Sequence, residues 1–117
     1  MAKTGLFGPY SITPDKIDEH VESLMGAYVL GYTTDKGTFI VRYVGRSDSD
    51  LNARLKVYIN GNYQQFQYGH YGTAREAFLK ECSLFHDFGG TDSLDNDIHP
   101  NRTDKSDWSC PRCNVFG

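Results

Sequence analysis

The spacing of apolar residues changes along the chain, and each change predicts an element. Ile17, Val21 and Leu24 recur at helical spacing. Before them, Thr13-Pro14-Asp15 reads as a helix start: a hydroxyl cap, proline at the first helical position, and an acid in the first turn. Gly26 is expected to end this helix. Beyond it, Ala27-Tyr28-Val29-Leu30-Gly31-Tyr32 and the run 38–45 are β-branched and aromatic, as strands are. Asp35-Lys36-Gly37 between them predicts a hairpin. Leu51, Leu55 and Ile59 then form a helical stripe, capped by Asp50 and stopped by Asn60-Gly61-Asn62. Residues 63–68, with Tyr63, Phe66 and Tyr68, predict a third short strand. Thr73-Ala74-Arg75-Glu76 places a hydroxyl and a carboxylate where each can satisfy a backbone N–H at a helix start. The helix it opens runs to about Asp87, buries Ala74, Phe78, Cys82 and Phe85, and stops at Gly89-Gly90. Residues 1–12 show no period and read as an irregular arm.

Strands and helices in this mixture give an α/β class. Three segments follow: an arm and helix over 1–25, a core over 26–96, and a polar tail over 97–117. At 117 residues, with 38% hydrophobic and 14% aromatic positions, the chain can bury a core. No apolar run approaches the roughly 20 residues that span a bilayer, so no membrane is expected as a partner. The N-terminus has no continuous apolar segment of the secretory kind. A cytoplasmic location is the expectation. The net charge of −3 argues against coating nucleic acid by bulk electrostatics, but leaves room for a local basic cleft gathered from Arg42, Arg46, Arg54, Lys56 and Arg75.

Several residues sit where chemistry is possible. Glu81 falls in the helical row Ala77, Glu81, Leu84, Phe88. A carboxylate among apolar neighbours is costly unless it is paired or holds a metal. Arg54 and Tyr58 are four residues apart on one helix face, and Arg54 offers a planar fork of donors suited to phosphate. Tyr28 and Tyr43 each lie two residues from a glycine, Gly26 and Gly45. His70, between Tyr68 and Tyr71, is a further candidate for a phosphate contact.

Gly26-Ala27-Tyr28, Tyr43-Val44-Gly45, then Arg54, Tyr58, Glu81 and Asn96 stand in the order that characterises the GIY-YIG nucleases, and the chain resembles that family over residues 26–96. Ala and Val replace the central isoleucines of the two triplets. The resemblance implies a GIY-YIG-type α/β sandwich, with a small three-stranded antiparallel sheet flanked by helices. It implies a divalent-metal-dependent endonuclease hydrolysing phosphodiester bonds in DNA. Glu81 would hold one Mg²⁺ or Mn²⁺, Arg54 would brace the phosphate, and Tyr28 or Tyr43 would position the attacking water. Tyr58 would assist through its hydroxyl, Arg46 would add a phosphate contact, and Asn96 would order the metal site or hold a strand.

No separate DNA-binding module is evident, so nicked, flapped or branched DNA, or a protein partner supplying specificity, is expected. A monomer or a homodimer would serve. Repair, restriction and toxin roles share this chemistry, and a catalytically inactive nucleic-acid- or protein-binding module on the same fold is the rival. Finally, Cys82 and His86 share a helix face, and Cys110-Pro111-Arg112-Cys113 adds a ligand-type pair. With His99 as an alternative, they could hold a structural Zn²⁺.

Overall fold

The computed structural model describes residues 4–96, and the tail assigned to 97–117 lies outside them. The chain order is β1 (Phe7–Ser11), α1 (Pro14–His20), β2 (Gly26–Thr33), β3 (Phe39–Ser47), α2 (Leu51–Lys56), β4 (Gln65–His70), α3 (Ala74–Asp87) and α4 (Gly90–Ser93). Each of the three longer helices starts on the cap its sequence offers. Thr13 Oγ1 accepts from Lys16 N, Asp50 from Ala53 N, and Thr73 Oγ1 from Glu76 N.

The sheet has four strands, ordered β1-β4-β2-β3, and every neighbouring pair is antiparallel. The expected three-stranded sheet is therefore corrected. The additional strand is β1, which the irregular arm had concealed. Its pairing with β4 is irregular between Phe7 and Tyr10, and four of its five residues are exposed, so no alternation marks it. The first helix is also shorter than its apolar period. It ends at His20, Leu24 is 51% exposed, and Gly26 begins β2 instead of stopping α1.

Helices cover both faces of the sheet. On one, Tyr28, Leu30 and Phe66 pack with Ile17 and Val21 from the α1 side and with Leu51 and Leu55 of α2. On the other, Val29, Val41 and Val44 pack with Leu84 and Phe85 of α3 and with Leu94. Strict alternation would put Val41 and Tyr43 of β3 on the same face. They lie on opposite faces, because β3 carries one extra residue, Arg42, where Leu30 and Gly31 face Tyr43 and Val41. This bulge turns Tyr43 to the side of Tyr28.

β3 is an edge strand, and the chain returns along it after α4. Asp95 N donates to Arg42 O at 2.6 Å. Asn96 then pairs with Val44 through its side chain: Oδ1 accepts from Val44 N at 3.0 Å, and Nδ2 donates to Val44 O at 2.8 Å. Arg42 Nη2 reaches Asp95 Oδ1 at 2.8 Å, and the Tyr63 hydroxyl donates to Asp95 Oδ2 at 2.9 Å. No helix among the described residues is long and apolar enough to cross a membrane.

Asn96→Ala removes both side-chain bonds to Val44. It should lower the unfolding free energy by about 1–2 kcal/mol, read from the urea midpoint. The Tyr63 and Arg42 bonds hold the Asp95 carboxyl below the usual carboxylate range. A lowered pKa in the folded state contributes stability above the unfolded carboxyl range, which is lost as pH falls through the folded value. Stability should therefore fall more on acidification below about pH 4 in the wild type than in Asp95→Asn, compared by thermal melts across pH 2–6.

Candidate active site

A polar cleft of about 460 Å³ opens at the β3 end of the sheet. It is lined by Tyr28 of β2, by Tyr43, Gly45, Arg46 and Ser47 of β3, by Asp48 and Ser49 of the following turn, by Arg54 of α2, by Tyr58, and by Glu81 of α3. Tyr28 and Tyr43 belong to the α1/α2 face and Glu81 to α3, so the cleft wraps around the edge strand. Tyr28, Tyr43, Arg54, Tyr58 and Glu81 thus converge from β2, β3, α2, the turn after α2, and α3.

The glycines earn this convergence by what they lack. A methyl group at Gly45 would lie 2.5 Å from Cζ of Tyr28, which crosses directly over it from β2. A methyl group at Gly26 would lie 2.6 Å from Leu51 Cδ2, at the first residue of α2. Gly26 lets α2 approach the sheet, and Gly45 leaves room for the Tyr28 ring.

The tyrosines form a packed group. The hydroxyls of Tyr28 and Tyr58 are hydrogen-bonded at 2.8 Å. The Tyr43 ring lies 6.5 Å from that of Tyr28, 5.9 Å from Tyr58 and 6.2 Å from Tyr63. Burial, reinforced by Tyr58, pushes the Tyr28 phenol far above its ordinary value. Burial and Tyr58 also push Tyr43 up to about 12, against a downward pull from Arg54. Both phenols are therefore protonated at neutral pH. They can orient a water by hydrogen bonding, but they are weak bases.

Glu81 is 7% exposed and lies on α3 between Ala77 and Leu84, both fully buried. Its Oε1 accepts from Arg46 Nη1 at 2.7 Å. Burial pushes the carboxyl up to about 7, and the Arg46 guanidinium pulls it down. Arg46 is itself only 11% exposed in its side chain. It also donates to Asp48 and lies over the Phe78 ring, with Cζ 5.1 Å from the centroid. Burial alone would lower its pKa, and the two carboxylates more than offset this.

Arg54 is exposed and its side chain makes no hydrogen bond or ion pair among the described residues, which leaves its guanidinium donors available to a ligand. Among the described residues, three of the five cations expected to gather at a basic cleft are engaged in ion pairs. Arg42 is paired with Asp95, Lys56 with Asp18 at 2.6 Å, and Arg46 with Asp48 and Glu81.

Two expected site residues stand apart from the cleft lining. Asn96 is committed to the Val44 backbone, the strand-holding alternative. His70 uses both ring nitrogens on backbone: Nε2 accepts from Glu22 N at 3.1 Å, and Nδ1 lies 3.0 Å from Met25 O. It pins the segment entering β2. Conversely, Ser47, Asp48 and Ser49 line the cleft without having been expected there. Arg46 and Asp48 are two residues apart at the end of a strand, a spacing that brings side chains to one side, and this was the available signal.

The donor set suits a hard cation. Glu81 Oε2 makes no hydrogen bond among the described residues, and one carboxylate with phosphate and water oxygens is a usual magnesium environment. For zinc, Cys82 and His86 are one turn apart on α3, with Cys82 fully buried. Cys110, Cys113 and His99 lie outside the described residues. Among the described residues, no three His, Cys, Asp or Glu side chains gather as a ligand set.

Comparison of the chain with protein-family models, with curated proteins and with solved structures finds no match.

Gly45→Ala should displace the Tyr28 ring and destabilise the fold by about 1–3 kcal/mol. Urea denaturation measures the loss, and the tyrosine ring resonances should shift for Tyr28, Tyr43 and Tyr58 together.

Proposed function

We propose that this chain is a GIY-YIG-type endonuclease that hydrolyses phosphodiester bonds in DNA with the help of one Mg²⁺ or Mn²⁺. The observation that carries the reading is the convergence in one cleft of a buried carboxylate, Glu81, an ion-pair-free guanidinium, Arg54, and three tyrosines. The four-stranded sheet adds β1 at the edge farthest from the cleft strand β3, which leaves β4, β2 and β3 as contiguous antiparallel strands.

Arg54 binds the scissile phosphate through its fork of donors and takes up charge as it builds on the phosphoryl oxygens. Tyr43, protonated at neutral pH, orients the attacking water by hydrogen bonding. The Tyr28–Tyr58 hydroxyl pair fixes the wall against which the substrate lies. Glu81 would hold the cation. When bound, that cation supplies Lewis-acid polarisation of the phosphate and charge for the leaving oxygen. Arg46, expected to touch phosphate, is occupied by Glu81 and Asp48 and acts within the protein. With Arg54 the one cleft guanidinium free of ion pairs among the described residues, the chain should bind nicked, flapped or branched DNA with help from shape or from a protein partner.

Nicking of supercoiled plasmid by wild type, Glu81→Gln and Arg54→Ala tests this. Wild type should nick in Mg²⁺ or Mn²⁺ and not in EDTA, and Glu81→Gln should abolish nicking. Arg54→Ala should lose about 10²–10³-fold in rate without a change in melting temperature, since Arg54 is exposed. Equal cutting by all three proteins overturns the reading. DNA binding by a wild type that cuts neither plasmid nor branched DNA moves the chain to the binding-module reading.

A further inference from the structure

Arg46 is held on three sides. Its Nε donates to Asp48 Oδ1 at 2.8 Å, and Nη2 lies 3.4 Å from Asp48 Oδ2. Its Nη1 donates to Glu81 Oε1 at 2.7 Å. The guanidinium Cζ lies over the ring of Phe78, 5.1 Å from its centroid, and Phe78 is fully buried three residues before Glu81 on α3. A planar fork hydrogen-bonded along two edges to carboxylates on different elements is fixed in orientation. Its third donor group therefore reaches Glu81 from a fixed direction.

The position of Asp48 is built just as firmly. Ser47 Oγ accepts from Ser49 N at 3.3 Å and from Asp50 N at 3.0 Å, which closes the turn that presents Asp48. Asp50 in the same turn caps α2, the helix that carries Arg54. One short turn thus sets the guanidinium that orders Glu81 and the helix that presents Arg54.

The geometry points to Asp48 as a positioning residue that fixes the Glu81 carboxylate through Arg46, so that the second carboxylate oxygen faces the cleft; this rests on the cation-dependent nuclease reading above. Asp48 itself holds no cation in this scheme. Its carboxylate orients Arg46, and Arg46 both balances the buried Glu81 and stops it rotating. Partners in this outer position usually change metal affinity by about 10–100-fold when removed.

A double-mutant cycle on the full chain separates this relay from a plain charge effect. Mn²⁺ binding is followed by electron paramagnetic resonance for wild type, Glu81→Gln, Asp48→Asn, Arg46→Lys and Asp48→Asn/Arg46→Lys. Lysine keeps a counter-charge for Glu81, so the fold survives, but it cannot bridge two carboxylates as a planar fork does. Wild type should bind Mn²⁺, and Glu81→Gln should remove that binding. Asp48→Asn and Arg46→Lys should each weaken it by about 10-fold or more. In the Arg46→Lys background, Asp48→Asn should add less than about a twofold further loss, because the route through Arg46 is already broken. The Arg46 Nε–H resonance should be sharp and slow to exchange in wild type and lost in Asp48→Asn.

Losses that multiply in the double variant overturn the relay and leave Asp48 acting by charge alone. The relay is likewise overturned by wild-type Mn²⁺ affinity in Asp48→Asn, or by an Arg46 Nε–H resonance that this variant leaves unchanged. In each of those cases Mn²⁺ binding that Glu81→Gln removes keeps the nuclease reading standing. A wild type that binds no Mn²⁺ overturns the cation reading, and this proposal with it.

Discussion

The one extra residue in β3 governs what the cleft can contain. A strand alternates its side chains, so the face a residue occupies is decided by parity along the strand. Arg42 breaks that parity between Val41 and Tyr43. With the bulge, Tyr43 joins Tyr28 and Tyr58 on the α1/α2 side, Gly45 lies beneath Tyr28, and Arg46 points toward α3 and Glu81. Without it, Tyr43 and Arg46 would exchange faces, and neither the aromatic wall nor the buried ion pair could form. The bulge is therefore a device that lets one edge strand serve both sides of the sheet.

Within that frame, Glu81 is the residue whose environment is most constrained. A carboxylate in a helix row with Ala77 and Leu84 forfeits its hydration. Arg46 restores much of what is lost, and the aromatic ring of Phe78 adds a second favourable contact for the same guanidinium. Breaking such a pair by removing one partner strands the other charge, at a cost of about 3–5 kcal/mol. The ion pair thus ties the integrity of the α3 packing to the cleft.

The parts of this arrangement that are local in the chain were legible in the sequence. Thr13, Asp50 and Thr73 cap the helices they precede, because a cap is a bond over three residues. The helical row around Glu81 also indicated its burial. What was not legible is long-range. β1 is defined by its pairing with β4, about sixty residues away in the chain, and its own residues are mostly exposed. Leu24 fits the helical period of α1, yet the chain has already turned toward β2 by then, with His70 and Leu51 holding the intervening backbone. The partner of Glu81 stands 35 residues away, and helical spacing cannot identify it. His70 reads as a polar residue among aromatics, and only the fold reveals that both its nitrogens are taken by backbone.

The closing of β3 by Asp95 and Asn96 has a meaning for the chain in a crowded solution. An open edge strand offers a row of unmet backbone groups to any extended peptide, including another copy of itself. Here the carbonyl of Arg42 and both backbone groups of Val44 are already taken, two of them by one asparagine side chain. At the far edge, Pro9 and the irregular register of β1 interrupt the same row. Backbone groups at both margins of the sheet are thereby withheld from edge-to-edge association. A chain that releases Asn96 would offer both backbone groups of Val44 to such pairing.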